Sequence, residues 1–497
     1  MQQGILKLFF FFCCLTACKG NNSSYNIESE NDKKLNQLIQ QYQLSGDPSK
    51  NRDIPAINSP LAQLGLKLFF TKALGGDVDT ACVSCHHPFL GGGDALSLSI
   101  GVGAVLPDVL GVEREHSSVA PHFDGTPPVP RNAPTTFNIA LWDQVLFHDG
   151  RIESIQKTPS KHGEETDIRT PDTPFTVADP LAGVYLSTAQ ARFPVTSAEE
   201  MRGFSFAEGQ TTQQVRDALM QRLNQQQIPN TWLAEFQQAF NNQEAAETLV
   251  TYDNAAEAIS AYERSQVFIN TPWKAYIEGD INALSEEAKQ GALLFYTPIA
   301  EGGAECVRCH QGDFFTDEGF HVLALPQIGR GQRDGEQPHD DLGRFLVTQQ
   351  PDDRYAFRTP SLINVEMTAP YGHDGAYANL EGIIAHHINP EQAIAAYDFS
   401  LNHLPQVPQV FFSPHAEQNT QAALTHLQQL QVKNIIPVIQ PINISKEQQQ
   451  QLKAFLLSLT DPCIKDPICL APWLPDSTQN GVDGLQLNPS SIQATNQ

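Results

Sequence analysis

The chain has 497 residues, 40% of them hydrophobic and 18% charged, with 33 Gly and 34 Pro. At roughly 150 residues per domain this is a turn-rich globular protein of about two to four domains, not a disordered or coiled-coil one. Thirty-one basic against 56 acidic residues leave a net charge of −25, which argues against nucleic acid and suits a small basic protein partner steered by the opposite field.

Lys7 opens onto an apolar run from Leu8 to Ala17. The run is too short to span a bilayer as a helix and fits the core of a signal peptide. It closes in Leu15-Thr16-Ala17-Cys18, which resembles the lipobox of bacterial lipoproteins. The expectation is a signal peptide over 1–17, a lipid on Cys18 and a flexible polar tether over 18–50. Lys19, rather than an aspartate, follows the cysteine, so an outer-membrane anchor facing the periplasm is expected.

Leu64-Gly65-Leu66-Lys67-Leu68-Phe69 reads as a short amphipathic helix. It precedes Cys82-Val83-Ser84-Cys85-His86, and a second run, Cys306-Val307-Arg308-Cys309-His310, follows Gln290-Gly291-Ala292-Leu293-Leu294-Phe295. Each Cys-x-x-Cys-His run matches c-type haem attachment: two thiols add to the two vinyl groups of one porphyrin, and the adjacent histidine reaches the iron. A shared zinc site would need its four ligands together, and the two runs are far apart.

The surroundings repeat as well. Arg131-Asn132-Ala133-Pro134-Thr135 and Phe147-His148-Asp149-Gly150 follow the first run. Phe357-Arg358-Thr359-Pro360-Ser361 and Tyr371-Gly372-His373-Asp374-Gly375 follow the second at nearly equal spacing. A duplication of one haem domain is the economical reading.

Between the copies, 211–240 is Gln-rich with helical spacing, and 254–268 is a stronger amphipathic helix; 445–459 is a last helix. The fold expected is all-α: two tandem cytochrome c-like haem domains, loop-rich, with insertions at 151–190 and 390–441. The boundaries are 51–275, 276–470 and a tail over 471–497. Cys463 and Cys469 close a short loop, where a disulfide is the default in an exported chain.

These motifs together resemble the bacterial dihaem cytochrome c peroxidase and MauG family, over about residues 60–459. The resemblance implies two c-type haems, one meeting hydrogen peroxide and one passing electrons, with a calcium ion between them. By motif order the His86 haem is the peroxide-reacting one and the His310 haem the electron-transfer one. In the peroxidase branch a histidine blocks the resting first haem. Here the matching stretch is Ser99-Ile100-Gly101-Val102-Gly103, and Val102 cannot ligate iron, so an open first haem is expected. His116 and His122 are the nearby substitutes.

The resemblance further implies Glu200 as the proton shuttle, Gln190 to orient the oxygens and Pro194 in the pocket wall, with Glu199 as competitor. Without the family context, two glutamates at a helix start are ordinary. Leu380, Ile383, Ile384 and His387 share one helical face, and His386 lies off it. The family places its second-haem ligand here, so His387 is expected opposite His310, with Met367 the alternative. An imidazole in place of a thioether lowers the haem potential.

Asn132, Thr368 and Pro370 match the calcium positions and offer the oxygen ligands that a hard cation takes. The family's tryptophan between the haems is replaced by His148, with Trp142 six residues earlier. The expected function is a periplasmic dihaem oxidoreductase that consumes hydrogen peroxide with electrons from a small redox protein. The alternatives are MauG-like oxidation of a partner protein and a non-catalytic dihaem electron carrier.

Overall fold

The computed structural model describes residues 29–331, 340–406, 414–433, 435, 441–476 and 481–489. The apolar leader and Cys18 lie outside them. Among the described residues, no helix is long and apolar enough to cross a membrane.

The same helix crossing occurs twice. The Pro60–Phe70 helix starts at Ser59, whose side chain accepts from the Ala62 amide, with Pro60 in its first turn. It lies across the Tyr252–Arg264 helix so closely that a Cβ on Gly65 would sit 1.9 Å from the Ala258 carbonyl oxygen. In the second unit the Glu286–Tyr296 helix crosses the Lys446–Leu457 helix. There a Cβ on Gly291 would sit 1.9 Å from the Gln451 carbonyl oxygen. Each pair is sealed by its own apolar core. Leu64, Leu68, Phe69, Ile259 and Tyr262 fill the first; Phe295, Tyr296, Leu452 and Phe455 fill the second.

The expected all-α architecture holds for most of the chain, with small sheets added. β1 (Val145–Leu146), β2 (Ile152–Ser154) and β3 (Ile168–Arg169) form an antiparallel sheet in that order. β4 (Phe320–Val322) pairs antiparallel with β5 (Ala356–Arg358). The 151–190 insertion contributes β2, β3 and the Leu186–Gln190 helix. Its Ile152, Ile168 and Leu186 pack under Trp142 and Leu146. The described part of 390–441 also packs inward: Leu427 and Leu430 of the Ala416–Val432 helix lie on Val322, Ala324 and Tyr355.

Two stretches differ from the sequence reading. The expected tether over 18–50 contains a helix, Glu30–Gln41, closed by a reciprocal Ser29–Asp32 cap. Leu35 is fully buried, and the Asp32 carboxylate accepts from Lys289 and from the Tyr276 hydroxyl, both at 2.8 Å. The many polar residues of 29–41 read as solvated, but their apolar positions form one stripe that a neighbouring helix covers. The tail beyond 470 is fastened to the first unit. The Leu487 amide donates to the Phe70 carbonyl at 2.8 Å, and Asp483 accepts from the Thr71 hydroxyl and the Trp232 indole. Cys463 and Cys469 are joined as a disulfide.

The two units meet through buried ions. Arg131 grips Asp341 of the second unit with two donors, at 2.5 and 2.7 Å, and Asp149 with a third at 2.7 Å. Glu318 accepts from three successive amides, those of Asp143, Gln144 and Val145. Such pairs hold the interface in one arrangement, because breaking one leaves its partner charge buried.

Candidate active site

A three-residue turn at Cys82–Ser84 brings Cys82, Cys85 and His86 to one wall of a cavity. Burial pushes the Cys85 thiol up to about 12 and Cys82 higher still. The His86 amide donates to the Cys82 carbonyl at 3.0 Å. The ring Nδ1 donates to the Gly92 carbonyl at 3.1 Å, so Nε2 is the nitrogen left as an acceptor. The second unit repeats this: the His310 amide meets the Cys306 carbonyl at 3.0 Å, and Nδ1 donates to Phe315 at 3.1 Å. Two thiols on one turn beside an imidazole whose tautomer is fixed by a backbone carbonyl form the donor set a covalently attached haem needs. Both sites fit.

They differ in what faces the histidine. His387, on the Leu380–Ile388 helix, has its ring centroid 6.4 Å from that of His310. Its Nδ1 donates to the Ile383 carbonyl at 2.8 Å, which leaves Nε2 free. Two metal–imidazole bonds of about 2 Å each, with the half-widths of two rings, fill a span of this size. Surrounding protein lowers the basicity of His387, yet solvent still reaches it. His386 points elsewhere: its Nδ1 meets the Tyr377 hydroxyl and its Nε2 the Leu323 carbonyl, both at 2.8 Å. Met367 packs in a separate apolar cluster with Phe137 and Phe268.

In the first cavity Glu200, Gln190 and Pro194 all line the wall. Glu200 sits on a wide helical turn, Ala198–Arg202, capped by Ser197. Its side chain is 23% exposed, so a small molecule can reach it. Burial raises its carboxyl, and the nearby Arg151 guanidinium opposes that rise. Glu199 instead accepts from the Ser197 hydroxyl at 3.1 Å and is not part of the wall. Val102 is buried and its amide donates to the Glu199 carbonyl. Neither His116, tied to the Thr126 carbonyl, nor His122, stacked on Phe204, lines the cavity.

His148 is in the wall with its Nε2 donating to the Asn132 carbonyl at 3.1 Å. Burial lowers it to about 4, so it is a neutral imidazole. Trp142 lines the same wall, with the Arg358 guanidinium 3.5 Å above its ring and Phe314 against its edge at 5.2 Å. Phe314 precedes Phe315, whose carbonyl holds His310. Trp142 therefore stands between the first cavity and the segment that fixes the second histidine. Of the residues matched to calcium, the Asn132 amide side chain donates to the Leu96 and Ser97 carbonyls. Its backbone N–H meets the His373 carbonyl at 2.9 Å; Thr368 and the cis Ala369–Pro370 bond precede His373 in the chain.

Two further residues line the wall, neither of them assigned a role by the sequence. Arg151 closes the Phe147-His148-Asp149-Gly150-Arg151 run that carries the family resemblance. Glu263 ends a helix whose other face is apolar; burial raises its carboxyl to about 8. The second copy departs here, with Ala376 at the place of Arg151.

Residues 59–282 match the family described as di-haem cytochrome c peroxidase. The chain is 27% identical over 340 residues to the methylamine utilization protein MauG of Methylorubrum extorquens, covering 68% of this chain and 71% of the relative. It is 28% identical over 329 residues to the cytochrome c551 peroxidase of Pseudomonas aeruginosa, covering 66% and 72%. The fold is shared with the diheme peroxidase BthA of Burkholderia thailandensis (TM-score 0.53, 19% identity, 89% of this chain and 93% of that one). It is also shared with a MauG-like protein associated with microbial copper homeostasis (TM-score 0.53, 21% identity, 86% and 98%). The matched region and these relatives support a dihaem peroxidase-type oxidoreductase of the cytochrome c peroxidase and MauG kind.

Proposed function

We propose that this protein is a periplasmic enzyme, tethered through Cys18 to the outer membrane, that reduces hydrogen peroxide at the first site with electrons delivered through the second. The observation that carries this reading is the asymmetry between two otherwise repeated sites. The second closes His387 over His310 at 6.4 Å. The first presents a half-buried carboxylate to a cavity.

A haem held by Cys82, Cys85 and His86 would supply the iron that takes up peroxide and the electrons that reduce it. The chain's own residues handle protons and position. Glu200 accepts the proton of the near peroxide oxygen and returns it to the far one, which leaves as water. Gln190 orients the oxygens, and Pro194 keeps the wall closed beside them. In the second unit Cys306, Cys309, His310 and His387 would hold an electron-transfer haem in a cytochrome c-like domain, and Trp142 is the aromatic placed to pass electrons between the units. Asn132, Thr368 and Pro370 would supply oxygen ligands to one calcium ion at the junction.

The donor is a small basic cytochrome or cupredoxin, given the charge of −25. A second reading has the same peroxide-derived equivalents oxidise residues of a partner protein. Val102 in place of a blocking histidine, and the likeness to proteins named for methylamine utilization, favour it. Adding peroxide to the ferric haem-loaded protein and then a reduced small cytochrome separates the two. Rapid oxidation of the cytochrome supports the peroxidase; slow turnover with a covalent change in a periplasmic protein supports the modifier. Absence of any reaction with peroxide overturns both.

His387→Ala is expected to convert the second haem from low to high spin and to let it bind azide or cyanide. Visible and paramagnetic resonance spectra check this. An unchanged low-spin signal would mean that another side chain holds the iron.

A further inference from the structure

We infer that Arg151 is a catalytic residue of the first site: its guanidinium binds the anionic oxygen that develops when peroxide is split beside Glu200. The inference rests on the reading of the first site as open to peroxide, and deepens it.

Three guanidinium groups line the first cavity. Arg131 is fully engaged, with three donors held by Asp341 and Asp149. Arg358 lies 3.5 Å above Trp142 and donates to the Val145 carbonyl, and burial lowers its basicity to about 10. Arg151 is different. Its Nη1 donates to Asp149 at 3.3 Å, and its guanidinium lies 3.7 Å over the Phe147 ring, so the group is fixed in place. Its Nη2 makes no hydrogen bond among the described residues and sits 3.8 Å from Glu200 Oε1. That separation is too long for a hydrogen bond. It is short enough for one small oxygen species to touch both groups from the side. Both side chains stay partly accessible, 19% and 23%.

The repeat supports the assignment. After the shared His-Asp-Gly turn, the first copy has Arg151 and the second has Ala376, which is fully buried. The cation thus stands in the copy whose cavity Glu200 lines, and an apolar residue takes its place in the other.

The chemistry needs such a cation twice. Glu200 must be ionised to accept a proton, and burial opposes this; the adjacent positive charge favours the carboxylate. Then the O–O bond of hydrogen peroxide breaks with both bonding electrons leaving on the far oxygen. The proton first passed to Glu200 converts the far oxygen to water; the near oxygen, left two electrons short, would be reduced with two electrons supplied by the haems and leave as a second water after taking two protons from solvent. Nη2 stabilises the negative charge on the far oxygen until that proton arrives, as a donor aimed at developing charge does.

Fluoride, a small anion that binds ferric haem, would put a negative charge into the same cavity without turnover. Fluoride titration of the ferric haem-loaded protein is expected to show affinity falling at least tenfold in Arg151→Gln and Arg151→Ala. The acid-side midpoint of the peroxide reaction is expected to move to higher pH in both. The two variants differ in volume, so either one that loads both haems serves, and Arg151→Lys is expected to restore the midpoint. Wild-type fluoride affinity together with a wild-type pH midpoint in the Gln or Ala variant overturns the role of Arg151. Absence of any fluoride response in the unsubstituted protein overturns the open first site, and this assignment with it.

Discussion

Glu200→Gln is expected to slow the reaction with hydrogen peroxide by roughly 10²- to 10⁴-fold, the range a positioned acid–base group supplies. Both haems should remain attached, since the thiols of Cys82, Cys85, Cys306 and Cys309 that would hold them are unchanged. Glutamine keeps the volume and a hydrogen-bond donor but cannot take a proton from one oxygen and return it to the other. The pH dependence follows from the same group. Burial raises the Glu200 carboxyl above the ordinary carboxylate range. The reaction uses the carboxylate, so its rate should fall as pH is lowered through that raised value, and this limb should be absent from the glutamine variant. Stopped-flow mixing of the ferric protein with peroxide across pH reads both effects. A Glu200→Gln rate within a few-fold of the unsubstituted rate would remove the carboxylate from the chemistry. Glu199→Gln, whose side chain is tied to Ser197 outside the cavity wall, should react normally.

Gly291→Ala and Gly65→Ala should each destabilise the protein by about 3 kcal/mol or more. Overpacking a close contact costs about 1–3 kcal/mol, and more where backbone must move. Here the atom in the way is a backbone carbonyl oxygen at 1.9 Å in both units, belonging to Gln451 and to Ala258. No side chain can rotate aside, so the two helices must separate and open the core around Phe455 or Tyr262. Against a total stability of about 5–15 kcal/mol this is a large fraction. Urea unfolding of the haem-loaded protein checks it through the midpoint at constant slope. Equal midpoints for the glycine and alanine forms would mean that the helices do not cross at these positions.

Much of this organisation was legible because the chemistry is local. Cys82, Cys85 and His86 are adjacent in sequence and therefore share one wall. The 3.6-residue helical period alone separates His387 from His386. The paired Gly65 and Gly291 sit at the same place in the two repeated helices. Other features were hidden for physical reasons. The Glu30–Gln41 helix is rich in polar residues, and only its Leu35 stripe, covered by a partner over 250 residues later, distinguishes it from a tether. The Arg131–Asp341 pair joins residues far apart in the chain, and no local pattern marks it. Arg151 stands in a recognisable motif, but its pairing with Glu200, 49 residues later (200 − 151), is visible only once the fold brings them together.

The division of labour between an open first haem and a closed second one is tested most directly by paramagnetic resonance of the resting ferric protein with both haems attached. The expected spectrum has one high-spin haem and one low-spin haem with the signature of two histidine ligands, and peroxide should remove the high-spin signal. Two low-spin haems, with no high-spin component and no response to peroxide, would contradict it.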